Sequence, residues 1–180
     1  TLVLFFSDNG ANRNGQNGVL RGNKGSVWEG GHRVPAIAWW PGTVMAGQTT
    51  SVTAITLDVM PTLVELAGGR VPEGHHLDGR SLVGELIHRR RKSSRTLFWE
   101  FGKRAAVRRQ DWKLVVGQLP GGEVGLFNLR VDLGERTNLA AGEPELVKQL
   151  LKALETWRTE VARGSTPQPK RAQKNRVSGS

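Results

Sequence analysis

The sequence predicts a mixed α/β fold, with a sheet-and-helix unit over residues 1–92 and a small antiparallel sheet packed by a carboxy-terminal helix over residues 93–162. Three observations predict it. The continuous apolar run Leu2-Val3-Leu4-Phe5-Phe6 stops abruptly at Ser7-Asp8-Asn9-Gly10, as an interior parallel strand stops at a turn. Four short apolar segments between residues 97 and 129 are separated by turn residues, the pattern of an antiparallel meander. Leu146, Val147, Leu150, Leu151, Leu154, Trp157 and Val161 recur at helical spacing and form one apolar stripe.

In chain order, the first strand is followed by Ala11 to Gly31, rich in Gly and Asn and without apolar periodicity. A loop of that length inside a domain is usually functional. Val34 to Trp40 reads as the next strand, closed by Pro41-Gly42. Thr56 to Ala67 reads as a helix with Asp58 near its start, Pro61 in its first turn and Gly68-Gly69 at its end; Leu63, Val64, Leu66 and Ala67 give it a buried face. The meander comprises Leu97 to Phe101, Ala105 to Arg109, Trp112 to Val116 and Val124 to Leu129, with turns at Gln110-Asp111 and Pro120-Gly121-Gly122. The last helix covers residues 143–161, with Glu143 and Glu145 at its positive amino end. Residues 163–180 have the composition of a disordered basic tail.

The 180 residues hold 37% hydrophobic residues, 23 glycines and 8 prolines, a globular composition with many turns. No apolar run approaches membrane-spanning length. With no cysteine, disulfides, thiolate zinc sites and a cysteine nucleophile within these residues are excluded. The net charge of +10 belongs to the second half: residues 1–90 carry eight Lys/Arg against seven Asp/Glu, and residues 91–180 eighteen against nine. Much of it lies in Arg89-Arg90-Arg91-Lys92 and beyond Arg158, both read as solvent-exposed.

Asp8-Asn9 places a carboxylate and an amide oxygen side by side at the end of a strand, the edge where open α/β sheets hold ligands. The pair suits calcium or magnesium but supplies only part of a site, and Asp-Asn-Gly is also an ordinary turn. Lys24, within Leu20-Arg21-Gly22-Asn23-Lys24-Gly25, offers a point charge to an anion where flanking glycines let it approach. Taken alone it reads as a solvated loop lysine. In Trp28-Glu29-Gly30-Gly31-His32-Arg33-Val34-Pro35, Glu29 and Arg33 brace the loop and His32 is structural. His75, His76 and His88 read as surface residues, and Trp39, Trp40, Trp112 and Trp157 as core packing.

The order of these pieces resembles the sulfatase family of the alkaline-phosphatase-like superfamily, in its carboxy-terminal portion. The resemblance rests on Ser7 to Gly10, Leu20 to Gly25, Trp28 to Pro35 and Trp40 to Gly42, then on Asp58 to Leu63, Leu66 to Gly68 and Leu77 to Leu82. It continues through Ala106 to Arg108, Asp111 to Val115 and Leu126 to Ala140, so it spans roughly residues 1 to 160. It implies that residues 1–92 are the end of the large sulfatase sheet domain and that the activity is hydrolysis of a sulfuric ester, with a sulfated carbohydrate among the expected substrates. It implies calcium, in preference to magnesium, held in part by Asp8 and Asn9, and Lys24 as the catalytic, sulfate-binding lysine. It also implies a formylglycine nucleophile made within a Cys/Ser-x-Pro-x-Arg motif. That motif is absent from these residues: Ser165-Thr166-Pro167-Gln168-Pro169 ends in proline where arginine is required. The nucleophile and early metal ligands are therefore expected upstream of Thr1, and residues 1–180 alone are expected to be inactive. The full-length protein is expected to be periplasmic or secreted. Trp99-Glu100-Phe101 departs from the many relatives that carry histidine after Trp-Glu, which bears on the pocket rim.

Two other readings compete. A basic chain of this kind could bind sulfated glycan or nucleic acid without catalysis, through attraction that salt screens. No nucleic-acid motif or aromatic platform accompanies the charge, which places nucleic acid low among the partners. A superfamily relative acting on phosphate or phosphonate esters is the third reading.

Overall fold

A computed structural model of the chain describes residues 1–88 and 94–164. The basic run Arg89 to Lys92 and the tail beyond Gly164 lie outside the described residues. Two sheets are present among the described residues. Strands β1 (Val3–Phe6) and β2 (Ala36–Trp39) pair with each other, and β3 (Thr96–Phe101), β4 (Arg104–Arg109), β5 (Trp112–Val116) and β6 (Gly125–Asn128) form an antiparallel sheet in sequential order. The mixed α/β class with a small antiparallel sheet and a carboxy-terminal helix is therefore as the sequence predicts.

The first strand differs in its surroundings. The partner of β1 is β2, antiparallel, with Val3 opposite Trp39 and Phe5 opposite Ile37. Phe5 is 69% and Trp39 57% exposed. An apolar run signals that a strand has a hydrophobic face, not which neighbour covers it, and here no described element covers the Val3, Phe5, Ile37 and Trp39 side. Trp39 is thus not a core residue in this structure. Trp112 and Trp157 do pack against the core, as expected.

The helix expected over residues 56–67 is a 3-10 turn (Thr56–Asp58) leading into α2 (Val59–Leu66), with Pro61 within its first turn. Its expected apolar face is only half-formed. Leu63 and Ala67 are exposed, and the wholly buried side chains are Asp58 and Thr62. Polar bonds replace apolar packing there: Asp58 accepts from the N–H groups of Ile55 (2.8 Å) and Arg80 (2.9 Å) and from the guanidinium of Arg95, while the Thr62 hydroxyl accepts from the Leu82 N–H at 2.9 Å. A short helix α3 (Val83–Leu86), not foreseen, follows this junction.

Both faces of the four-stranded sheet are covered, and the strand period of two divides them. Ala105, Val107, Leu114 and Leu126 point toward α4 (Pro144–Gly164) and meet Leu150 and Leu154. Ala106, Val115 and Phe127 point the other way and meet Val27 and Trp28 of the long amino-terminal loop. That loop is therefore the lid of a second small core, which fixes where it crosses the sheet. Helix α4 begins at Pro144, one residue after the expected start, with Glu145 in its first turn as the sequence predicts and Glu143 just ahead of it, and extends through Arg163 and Gly164, two residues expected to lie in the tail.

Candidate functional site

The residues singled out in the sequence come together along one loop system. Asp8 and Asn9 follow β1 directly, and the next residue, Gly10, donates its N–H to the Gly31 carbonyl at 3.0 Å. A Cβ at Gly10 would overlap the Gly30 carbonyl, so only glycine permits this approach. Lys24 donates its N–H to the Ala11 carbonyl at 2.9 Å, and Gly30 donates to Arg21 at 2.8 Å. The Asn17 amide closes the loop from inside, accepting from the Ala11 N–H and donating to the Gly22 carbonyl, both at 2.9 Å.

These bonds bring the Asp8-Asn9 turn, the Lys24 loop and the segment leading into β2 around one groove of about 440 Å³, lined by Ser7, Asn9, Gly10, Ala11, Asn12, Gln16, Asn17, Lys24 and Arg33 to Pro35. Asp8 is not part of that lining and is exposed beside it. The groove is rich in amides and carries two cations, Lys24 and Arg33, a composition suited to an oxygen-rich anion. Asp8 and Asn9 supply a carboxylate and an amide oxygen, donors that suit a hard cation and account for two of the six to eight oxygens calcium takes. Among the described residues no cluster of three or more His, Cys, Asp or Glu side chains could hold a metal. Asp8 and Asn9 are thus two adjacent oxygen donors, fewer than a calcium ion takes.

Behind the groove lies a buried charge cluster. Helix α1 (Glu29–His32) is a single turn containing two glycines, and its Glu29 side chain is wholly shielded from solvent. Glu29 Oε1 accepts from the Lys113 ammonium at 2.9 Å, while Oε2 faces Arg33 at 3.3 Å and Arg108 at 3.5 Å. Lys113, also fully buried, lies 2.9 Å from Glu135 Oε1 and 3.2 Å from His32 Nε2. Glu135 in turn accepts the Glu29 N–H on Oε2 at 2.6 Å and the Arg21 guanidinium on its carbonyl at 2.7 Å. The Arg21 guanidinium also sits over the Trp28 ring at 3.8 Å, and His32 stacks on Trp99 with ring centroids 4.3 Å apart.

The electrostatics follow from this packing. Burial pushes the Glu29 carboxyl up, but Lys113 above all, with His32 and Arg108, more than offsets that and holds it below the ordinary carboxylate value. For Glu135 burial prevails over Lys113, and its carboxyl is raised. His32 is pushed down to about 4 by burial and by the Lys113 ammonium, so at neutral pH it is an uncharged imidazole able to accept from Lys113.

The expected bracing roles of Glu29 and Arg33 agree with this arrangement, and His32 is packed as a structural residue. Sequence reasoning missed Lys113 and Glu135. A signal for Lys113 was present: the alternation of β5 puts it on the same face as Val115, and an apolar residue on that face implies cover, hence a partner for the lysine. Glu135, in a loop at a φ of 50°, carries no comparable signal.

Residues 1–69 match the sequence model of the sulfatase family. The chain is 33% identical to "Sulfatase" of Formosa agariphila, over 87% of this chain and 32% of that protein. It is 34% identical to "Arylsulfatase G" of Mus musculus, over 73% of this chain and 29% of that protein. Among solved structures it superimposes on Ps i-CgsB, crystallised in complex with k-i-k-neocarrahexaose, with a TM-score of 0.79 and 31% identity over 87% of this chain and 36% of that one. The fold and these matches define a mixed α/β sulfatase scaffold, consistent with the alkaline-phosphatase-like superfamily. The chain belongs to the sulfatase family. It spans about a third or less of the length of the relatives it matches.

Proposed function

We propose that this chain supplies one side of a sulfuric-ester hydrolase site, in which Lys24 binds the sulfate group and Asp8 and Asn9 contribute two ligands to calcium. One observation carries the reading: the Lys24 N–H bond to Ala11 and the Gly10 N–H bond to Gly31 bring the oxygen-donor turn and the lysine loop to one amide-lined groove. Membership in the sulfatase family gives that arrangement its chemistry.

When bound, the calcium ion would polarise the sulfate oxygens. Lys24 places a compact positive charge against the sulfate oxygens and against the leaving oxygen as negative charge grows on it. Asn12, Gln16 and Asn17 line the groove with side-chain amides that can donate to further oxygens. Arg33, facing Glu29 at 3.3 Å and lining the same groove, adds a second positive charge. These 180 residues contain no cysteine and no Ser-x-Pro-x-Arg sequence, so by themselves they carry no formylglycine precursor and do not turn over sulfate esters.

The test uses the full-length gene product that carries these residues, assayed with 4-nitrophenyl sulfate and 4-nitrophenyl phosphate. Hydrolysis of the sulfate ester in preference to the phosphate ester is expected, with loss on calcium chelation. Lys24→Ala should lower kcat/KM by about 10²–10³, the scale of a lost charge-stabilising donor. Preference for the phosphate ester, or a Lys24→Ala enzyme with wild-type kcat/KM, overturns the assignment.

A further inference from the structure

We propose that Lys113 is a positioning residue: through Glu29 and Glu135 it fixes the one-turn helix α1 against the antiparallel sheet, and thereby holds the Asp8-Asn9 turn and the Lys24 loop in register. This deepens the functional reading above and rests on it for its catalytic consequence. The positioning itself does not depend on that reading.

Helix α1 has four residues, two of them glycine, and neither its length nor its composition can hold it in shape. The three bonds that organise the groove nevertheless run through it or beside it. Gly31 accepts from Gly10, Gly30 donates to Arg21, and the chain between them carries Lys24 bonded to Ala11. Something outside the loop must therefore set the position of α1. Val27 and Trp28 supply apolar cover over Ala106, Val115 and Phe127, but such packing is non-directional and tolerates sliding.

Lys113 supplies the direction. Its ammonium touches Glu29 and Glu135 at 2.9 Å each, and Glu135 closes the circuit by accepting the Glu29 backbone N–H at 2.6 Å. Side chain and main chain of the same α1 residue are thus held by groups on two other elements, β5 and the loop after β6. Glu135 also holds Arg21, the residue whose carbonyl receives the Gly30 N–H. A displaced α1 would leave buried charges unpaired, so few alternative registers are tolerated.

The experiment compares full-length wild type with Lys113→Met and with the near-isosteric Glu29→Gln by hydrogen exchange. A control, Asp58→Asn, is chosen to lower the melting temperature without touching α1. Peptides covering residues 8–24 should exchange at least about tenfold faster in both cluster variants and at the wild-type rate in the control, with calcium affinity and KM for 4-nitrophenyl sulfate weakened about tenfold. If Lys113→Met fails to fold, Glu29→Gln decides by the same readout. Unchanged exchange in residues 8–24 overturns the proposal, and so does an equal rise in the control. A wild-type protein that hydrolyses no sulfate ester overturns the proposed function instead, and leaves the exchange result standing.

Discussion

The Lys113 ammonium and Glu29 Oε1 meet at 2.9 Å across 84 residues of chain, with neither side chain reaching solvent. Removing one member of such a pair strands the other as a buried charge, which typically costs about 3–5 kcal/mol. Lys113→Met should therefore lower the urea midpoint by an amount corresponding to about that loss. Glu29→Gln should cost less, because the amide keeps an oxygen acceptor for Lys113 and Glu135 remains as counter-charge. A Lys113→Met midpoint within error of wild type would show that the cluster contributes nothing net.

Acid should loosen the same cluster in a defined window. His32 is held down to about 4 against an ordinary value near 6.5, so between those values the unfolded chain binds a proton that the folded chain refuses. Its contribution is fully present above pH 6.5 and is lost as pH falls through 4, up to about 3 kcal/mol in all. Glu29, which faces it, has its carboxyl held below the ordinary carboxylate value by Lys113, His32 and Arg108 against the opposing effect of burial. His32→Phe, which retains the stack on Trp99, should flatten the stability curve between pH 6.5 and 4 in denaturant titrations at stepped pH. An unchanged slope would place the titration elsewhere.

Much of this architecture was legible in the sequence, because local rules decided it. The four meander strands follow from period-two alternation and turn residues, and α4 from its stripe of Leu146, Leu150 and Leu154. The bond between Gly10 and Gly31 was anticipated only as a glycine-rich loop, since which carbonyl a glycine approaches is a tertiary fact. For Lys113 the alternation of β5 records only that it needs a partner; the partner itself, Glu135, lies 22 residues on in a loop, and no local pattern records it. The β1 run was read as an interior parallel strand because apolar runs are the mark of strands covered on both faces, and cover depends on neighbours that a strand does not encode.

Asp58 offers a second test of buried charge. Burial raises its carboxyl, but bonds from Arg95 and from the Arg80 and Ile55 N–H groups outweigh that and leave it below the ordinary value. The contribution is present above the unfolded value and lost as pH falls below it. Asp58→Ala leaves Arg95 half-buried without its counter-charge and two N–H groups without acceptors, and should cost about 2–4 kcal/mol in urea unfolding. A loss below about 1 kcal/mol would mean that solvent takes over as partner.

Gly10→Ala should damage the groove more than the fold. The added Cβ would overlap the Gly30 carbonyl, a backbone atom that cannot swing aside as a side chain would. The Asp8-Asn9 turn must then move away from α1, breaking the Gly10 to Gly31 bond. In the full-length protein, calcium affinity should fall about tenfold or more, with a melting temperature only a few degrees lower. Gly18→Ala, where nothing lies within 4 Å of a new Cβ but φ is positive at 59°, is the contrasting case in which backbone conformation alone is strained, whereas Gly10 has no positive φ and its substitution acts through overlap.

Among the described residues, one face of the β1–β2 ribbon is open. Val3 faces Trp39 and Phe5 faces Ile37 across the strands, and all four side chains stand at least 45% exposed. A contiguous apolar face on a two-stranded ribbon, whose outer edges pair with no further strand among the described residues, is the surface that recruits other chains. Residues 1–180 expressed alone should therefore self-associate at micromolar concentration. Phe5→Lys with Ile37→Thr puts a charge and a hydroxyl at one cross-strand pair while keeping residues that strands accept. Because these side chains contact little within the chain, the melting temperature should stay within about 2 °C, while light scattering should report a shift toward the monomer. Monomeric wild type at 100 μM would mean that the ribbon face is not sticky, and a double variant that self-associates as strongly would point instead to exposed Leu57 of the 3-10 turn and Met60 and Leu63 of α2.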